Sequence, residues 1–152
     1  MSVDNSELIC RIRSMYDYND DRKAIVDLLH RCESTNEASA FKSNSGGSSV
    51  LFHCEFPDYL RCMERYPESY CLQMIDSKDN RVVLVYVMNC KRVHFGPYVM
   101  STVFGCLGRV DPNRQRQLVG MSAYPHVAQF VRQGGFDYGQ NHTMVTNVAS
   151  IQ

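Results

Sequence analysis

No apolar run in this sequence is long enough to cross a bilayer as a helix. The longest, VVLVYVM at 82–88, falls far short of the roughly 20 residues a helical span requires. Surplus charge is also missing: 16 Lys and Arg balance 16 Asp and Glu. No global field therefore draws the chain to nucleic acid or to acidic membranes, and such a partner would need a local patch. There is no C-x-x-C pair and no Cys…His spacing of the zinc-finger kind, so no metal site is expected. The seven cysteines are scattered and odd in number, and no signal peptide is apparent, which points to reduced thiols in an intracellular, cytoplasmic setting. No internal repeat is visible.

What is present suits one ordinary globular domain spanning 1–152. At 44% apolar and 21% charged residues, a chain of this length buries about two-thirds of its extended surface. ELICRIRSMY (7–16) nearly alternates apolar and polar residues, as a half-buried strand does. In the segment that follows, Ala24, Ile25, Leu28, Leu29 and Cys32 fall at helical spacing, with Asn19 or Asp20 as N-cap and acidic residues in the first turn. The Ser-, Asn- and Gly-rich stretch 34–50 reads as a mobile loop. Phe56, Leu60 and Met63 share one face of a short helix that ends before Pro67.

Further on, YCLQMI and RVVLVYVM flank the polar turn DSKDN as a hairpin, with CKRVHFGP (90–97) as a second connector. YVMSTVFGCLGRV (98–110) is an apolar strand in which Gly105 and Gly108 signal a bulge or a close backbone approach. A basic, glutamine-rich loop leads to a helix with Tyr124, Val127, Phe130 and Val131 on one face and a Gly-Gly stop. FDYGQNHTMVT then reads as a strand. A strand leading through a polar loop into a helix, in this order of elements, gives an α/β or α+β domain.

The loop RVDPNRQRQLVG (109–120) carries the chemistry. A nucleic-acid patch is disfavoured by the neutral net charge and the lack of interleaved aromatics. Two readings stay open, a solvated basic loop and a phosphate-binding loop whose amides sit at a helix N-terminus. His53-Cys54 has no neighbours to complete a metal site, and Cys106 is either a nucleophile or a small buried residue.

In its order of elements and in two local motifs the chain resembles the GNAT superfamily of acetyl-CoA-dependent N-acetyltransferases. LGRVDPNRQRQLVG is similar to the family's fourth strand and cofactor loop, V-x-P followed by Q/R-x-x-G-x-G/A. Val110, Pro112, Gln115 and Gly120 match, and Leu118 stands where the middle glycine belongs. VTNVASIQ is similar to the segment leaving the fifth strand, with Asn147 and Ser150 in its N-x-x-S positions. Asn147 otherwise has the ordinary role of capping a helix. A second register, setting FVRQGGF against the family's closing signature, leaves no room for a helix before the fifth strand and is set aside.

The resemblance implies a mixed, mostly antiparallel sheet flanked by helices. The family's last helix and final strands would lie beyond residue 152. It also implies acetyl-CoA as cofactor, held by Gly108, Arg109, Val110, Gln115, Arg116, Gln117, Leu118, Val119, Gly120 and Asn147, with Arg114 and Arg116 as screening cations. The expected activity is acetyl transfer to an amine, on a small molecule or a protein, by direct attack in a ternary complex. A catalytically degenerate GNAT-fold interaction module is the alternative. No catalytic acid or base is assigned; His94 is the histidine nearest in sequence. Leu118 would be costly if its position needs φ > 0, and Pro125 would bend a helix beginning near 118. An open edge on the fifth strand would favour a homodimer.

Overall fold

The computed structural model describes residues 7–14, 21–40, 66, 68–114 and 117–141, without the side chains of 33–40 and 107. Phe56, Leu60 and Met63 of the expected short helix, the rest of the loop to residue 50, and Gln115, Arg116 and Asn147 lie outside the described residues.

Five strands form one sheet in sequence order: β1 (Leu8–Ser14), β2 (Ser69–Asp76), β3 (Arg81–Phe95), β4 (Tyr98–Val110) and β5 (Tyr138–Asn141). The first three pairings are antiparallel, while β4 and β5 run parallel. Helix α1 (Arg22–Ala40) covers one face of the sheet and α2 (Val119–Gln133) the other. The architecture is therefore the mixed, mostly antiparallel sheet with flanking helices that the resemblance implies.

Periodicity accounts for both covers. Ile25, Leu28, Leu29 and Cys32 are all buried, against Cys71, Ile75, Val82, Val85 and Val87. On the other face Val119 and Ala123 pack with Leu72, Met74, Val83, Leu84, Met88, Cys90 and Val103. Val83 and Leu84 are neighbours in sequence yet share this face. A register shift opposite Met74 and Ile75 leaves Val83 as an extra residue, which resets the alternation.

Three expectations need correction. Helix α1 begins at Arg22 with no acidic residue in its first turn, and Asp21 is instead held by Arg11, Arg13 and Gln73. The helix also continues through Ser34–Ala40, part of the expected loop, because extending a nucleated helix fixes only one residue per added bond. The supposed connector 90–97 is mostly strand. β3 runs on to Phe95 and turns back through Gly96 and Pro97, with Gly96 at φ 59, the sign that tight hairpin turns demand.

Other local signals hold. The β2–β3 turn places Asn80 at φ 54 and is tied by Asp76 and Asp79 accepting from the N–H groups of Lys78 and Arg81. At the end of α2, Phe136 N–H reaches Val131 C=O and Gly135 N–H reaches Arg132 C=O, with Gly135 at φ 66. This is the Gly-Gly stop, and it places FVRQGG at a helix end leading into β5. No helix among the described residues is long and apolar enough to cross a membrane.

Candidate acyl-transfer site

Strand β4 changes character along its length. Thr102–Gly105 pair with β3 on one side and with Tyr138–Asn141 of β5 on the other. Between Gly105 and Leu107 the register against β3 shifts, making Cys106 a bulge in the stretch where the two glycines signalled one. Past the bulge, no described residue pairs with the outer edge of β4.

Strand alternation decides which groups that edge presents. Asp111 N–H donates to Val83 C=O at 2.8 Å, so Arg109 and Asp111 turn their backbone groups toward β3. Gly108 and Val110 turn theirs outward. Two contacts agree with this: Gly108 C=O accepts from the Arg109 guanidinium at 2.9 Å, and Val110 C=O accepts from the Cys32 thiol at 3.4 Å. An extended ligand bearing amides could add here as a strand would.

The loop after β4 is anchored by buried carboxylates. Asp111 is fully buried; it accepts from Arg31 of α1 at 3.1 Å and from Asn113 N–H at 2.9 Å. Arg114 pairs with Asp76 at the end of β2 and donates to Gln117 at 3.0 Å. The Lys78 N–H, ahead of Arg114, holds the Asp76 carboxyl below its ordinary pKa. Arg114 is thus a structural clamp as well as a nearby cation, and the Gln117 side chain is likewise engaged within the loop, reaching Asn113 C=O at 3.3 Å.

Leu118 is the N-cap of α2 and lies in the left-handed region, φ 57 and ψ 16. The position does require the conformation a glycine provides. A branched side chain there costs roughly 1–2 kcal/mol, and at 61% exposure it recovers little by burial. The left-handed turn leads into the helix so that the amides of Val119, Gly120 and Met121 precede the i→i−4 ladder, where Ser122 N–H bonds Leu118 C=O at 3.0 Å. Val119 is buried in the core, so it offers the site only its backbone. A Cβ on Gly120 would meet no atom within 4 Å. Packing does not require that glycine, whereas the close approach of a pyrophosphate to the backbone would. Edge and amides together fit a phosphorylated, amide-bearing cofactor.

A cavity of about 420 Å³ lies along α2 from Tyr124 to Arg132, between the helix and the β4–β5 pair. Val103, Val127 and Val131 form its apolar wall, and Tyr86 and Tyr124 stand at one end. Among the described residues that line it, none is Asp, Glu or His. A larger groove of about 520 Å³ lies across α2 against β1 and β2 and touches neither β4 nor the loop.

Tyr86 is the residue that sequence reasoning missed. Its ring lies over both glycines of β4: a Cβ on Gly105 would overlap the phenol oxygen, and one on Gly108 would press on the ring at 3.3 Å. The glycine pair in a strand was the only available signal, but nothing in it names the partner. Tyr124, expected on the core face of α2, is instead 55% exposed beside the cavity. Pro125 falls in the second turn of α2 and is exposed, so its missing N–H interrupts the helix on the outer side.

Two other candidates are settled by placement. His94 is exposed on β3, opposite Val99. Gly105 is six positions along the strand from Val99, about 20 Å at strand rise, so His94 is remote from the bulge. The Cys106 thiol is pushed up to about 11, chiefly by burial, and it donates to Val87 C=O while accepting from Asn89 at 3.2 Å. It is a neutral structural thiol rather than a nucleophile. Cys106 and the other described cysteines, Cys10, Cys32, Cys71 and Cys90, form no disulfide, and no group of three or more metal-ligating side chains occurs among the described residues.

No protein-family profile matches the chain, and no curated protein does. Solved structures match it over nearly its full length. An aminoglycoside acetyltransferase from an uncultured soil metagenomic sample superposes with a TM-score of 0.63 at 14% identity, covering 97% of this chain and 84% of its own. A GNAT family acetyltransferase from Staphylococcus aureus gives 0.60 at 12% identity, with 93% and 90% covered. The enzyme AAC(6')-Iy, in complex with the bisubstrate analog CoA-S-monomethyl-acetylneamine, gives 0.63 at 13%, with 94% and 85% covered. At such identities the likeness concerns the fold: this chain has the fold of the GNAT acetyltransferases.

Proposed function

We propose that this protein transfers an acyl group, acetyl from acetyl-CoA, to an amine by direct attack in a ternary complex. The observation that carries the reading is one continuous track. It starts at the α2 amides beside Gly120, follows the outward-facing groups of Val110 and Gly108, and ends at the Cys106 bulge and the cavity beside Gly105. From Val110 to Gly105 the strand rises about 17 Å, a length suited to an extended pantetheine arm.

Acetyl-CoA, when bound, supplies the acyl group as a thioester. The amides of Val119, Gly120 and Met121 hold its pyrophosphate at the positive end of the helix dipole. The edge groups of Gly108 and Val110 orient the arm, and the apolar wall of the cavity keeps water from the thioester. The acceptor attacks as the neutral amine, and the proton it gives up passes to water. That AAC(6')-Iy was solved with a bisubstrate analog supports the ternary-complex order by analogy.

One observation favours a second reading, a degenerate binding module: the strained Leu118 at the turn where a glycine would be relaxed. Titration calorimetry with acetyl-CoA, and with desulfo-CoA as the control lacking sulfur, separates the two. Micromolar binding is the expected result. Absence of heat together with absence of thermal stabilisation at millimolar cofactor would leave only the binding module.

A further inference from the structure

Strand β1 closes one side of the sheet, and nothing among the described residues pairs with its outer edge. Ser77 N–H donates to Glu7 C=O at 2.8 Å, so the backbone groups of Glu7, Ile9, Arg11 and Arg13 face β2. Those of Leu8, Cys10 and Ile12 therefore face outward, with no hydrogen-bond partner among the described residues. The strand carries neither proline nor glycine, and Ile9 is 52% exposed. Such an edge is a template for another strand.

We infer that the strand it takes is β1 of a second copy of this chain, paired antiparallel about Cys10 so that the two sheets join edge to edge. The stretch ELICRIR, Glu7 to Arg13, is complementary to itself in that register. Turned end for end about Cys10, it sets Glu7 opposite Arg13, Leu8 opposite Ile12 and Ile9 opposite Arg11. Outward-facing backbone then meets outward-facing backbone, so Leu8, Cys10 and Ile12 exchange hydrogen bonds with their counterparts. Their side chains lie on the α2 side, where Cys10 and Ile12 already line the 520 Å³ groove, and the cross-strand apolar pairs extend that lining. On the other side the Arg11 stem covers Ile9. Glu7 and Arg13, engaged within their own copy by Lys78 and Asp21, meet as opposite charges. Neighbouring registers are poorer. A slip of two residues one way sets Arg11 against Arg11, and the other way leaves only Glu7 to Arg11 paired. A slip of one residue turns the apolar side chains to the wrong face. The edge that carries the homodimer is thus the first strand's rather than the fifth's.

Light scattering of the whole chain over roughly 1 to 500 µM spans the association range of a small specific interface. The mass should rise from that of one chain to that of two. Ile9→Lys, at a position exposed in the single copy and set against an arginine in the pair, should hold the mass at one chain throughout while the far-UV spectrum stays native. Ile9→Val, an apolar β-branched replacement, should associate as the native chain does. A short thiol-to-thiol bis-maleimide should link the native dimer through Cys10, whose Cα atoms face each other at about 5.5 Å. Cys10→Ser should remove that link and leave the mass unchanged. If Ile9→Lys fails to fold, the Cys10 link decides alone. A single-chain mass across the whole range would overturn the inference. So would a dimer that survives Ile9→Lys, or one whose link does not pass through Cys10, since either places the contact on another edge.

Discussion

The two halves of β4 have similar apolar sequences and opposite fates. Thr102–Gly105 are paired on both sides, and Thr102 and Val103 are buried. Among the described residues, Gly108–Val110, three residues on, pair only with β3. The bulge at Cys106 separates them. The first half stabilises the sheet, and the second leaves the outward groups of Gly108 and Val110 without a ladder partner among the described residues, their carbonyls accepting from Arg109 and Cys32 side chains instead. An open strand edge is a liability in a fold, and a use has to accompany it. Here the edge leads toward a helix N-terminus and a cavity, which is why the proposed binding track follows the incomplete ladder.

Three substitutions test this contrast, in falling order of effect. The largest should come from Asp111→Ala at the end of the open half. Loss of the buried carboxylate removes the ion-pair partner of Arg31, which keeps its bond to Val82 C=O, and leaves the Asn113 N–H without its acceptor; it should cost about 3 kcal/mol, less than a fully buried pair because Arg31 is a third exposed. Urea unfolding would show it, and a loss under 1 kcal/mol would mean the open half is held by β3 alone. Next is Gly105→Ala at the boundary. Its Cβ overlaps the Tyr86 ring, so overpacking should cost about 2 kcal/mol and displace that ring. Unchanged stability, with unchanged tyrosine fluorescence, would show that the two halves are not locked together there. The smallest change is Leu118→Gly beyond the open half. Relief of the left-handed strain, less the extra freedom of glycine in the unfolded chain, should stabilise by about 0.5–1 kcal/mol and tighten acetyl-CoA binding. Tighter folding without tighter binding would separate the turn from the cofactor.

How much was legible in the sequence differs by kind of signal. The core face of α1 followed from spacing alone, because 3.6-residue periodicity is a property of the segment itself. The DSKDN turn and the Gly-Gly stop followed from residues whose side chains or missing Cβ bias their own backbone. The need for φ > 0 at Leu118 was legible as a conflict, since a motif position asked for glycine and the chain supplied leucine. The length of β3 was hidden, because the polar residues of Lys91–Phe95 resemble a connector until β4 pairs with them.

Two outcomes lay wholly in the tertiary structure. Arg114 was read as a cation for phosphate, but its pairing with Asp76 brings together residues 38 apart in the chain. Tyr86 was read as one more apolar residue in a strand; only the register that sets it against Gly108 and beside Gly105 turns it toward the cavity. By itself the sequence determined the local elements, the bulge-prone glycines and the loop with its awkward leucine. The tertiary structure decided which side chains are committed to holding that loop and which hydroxyl faces the open end of the track. The reason is physical: backbone preference is set within a few residues, while the partner of a side chain is set by strands and helices that meet only on folding.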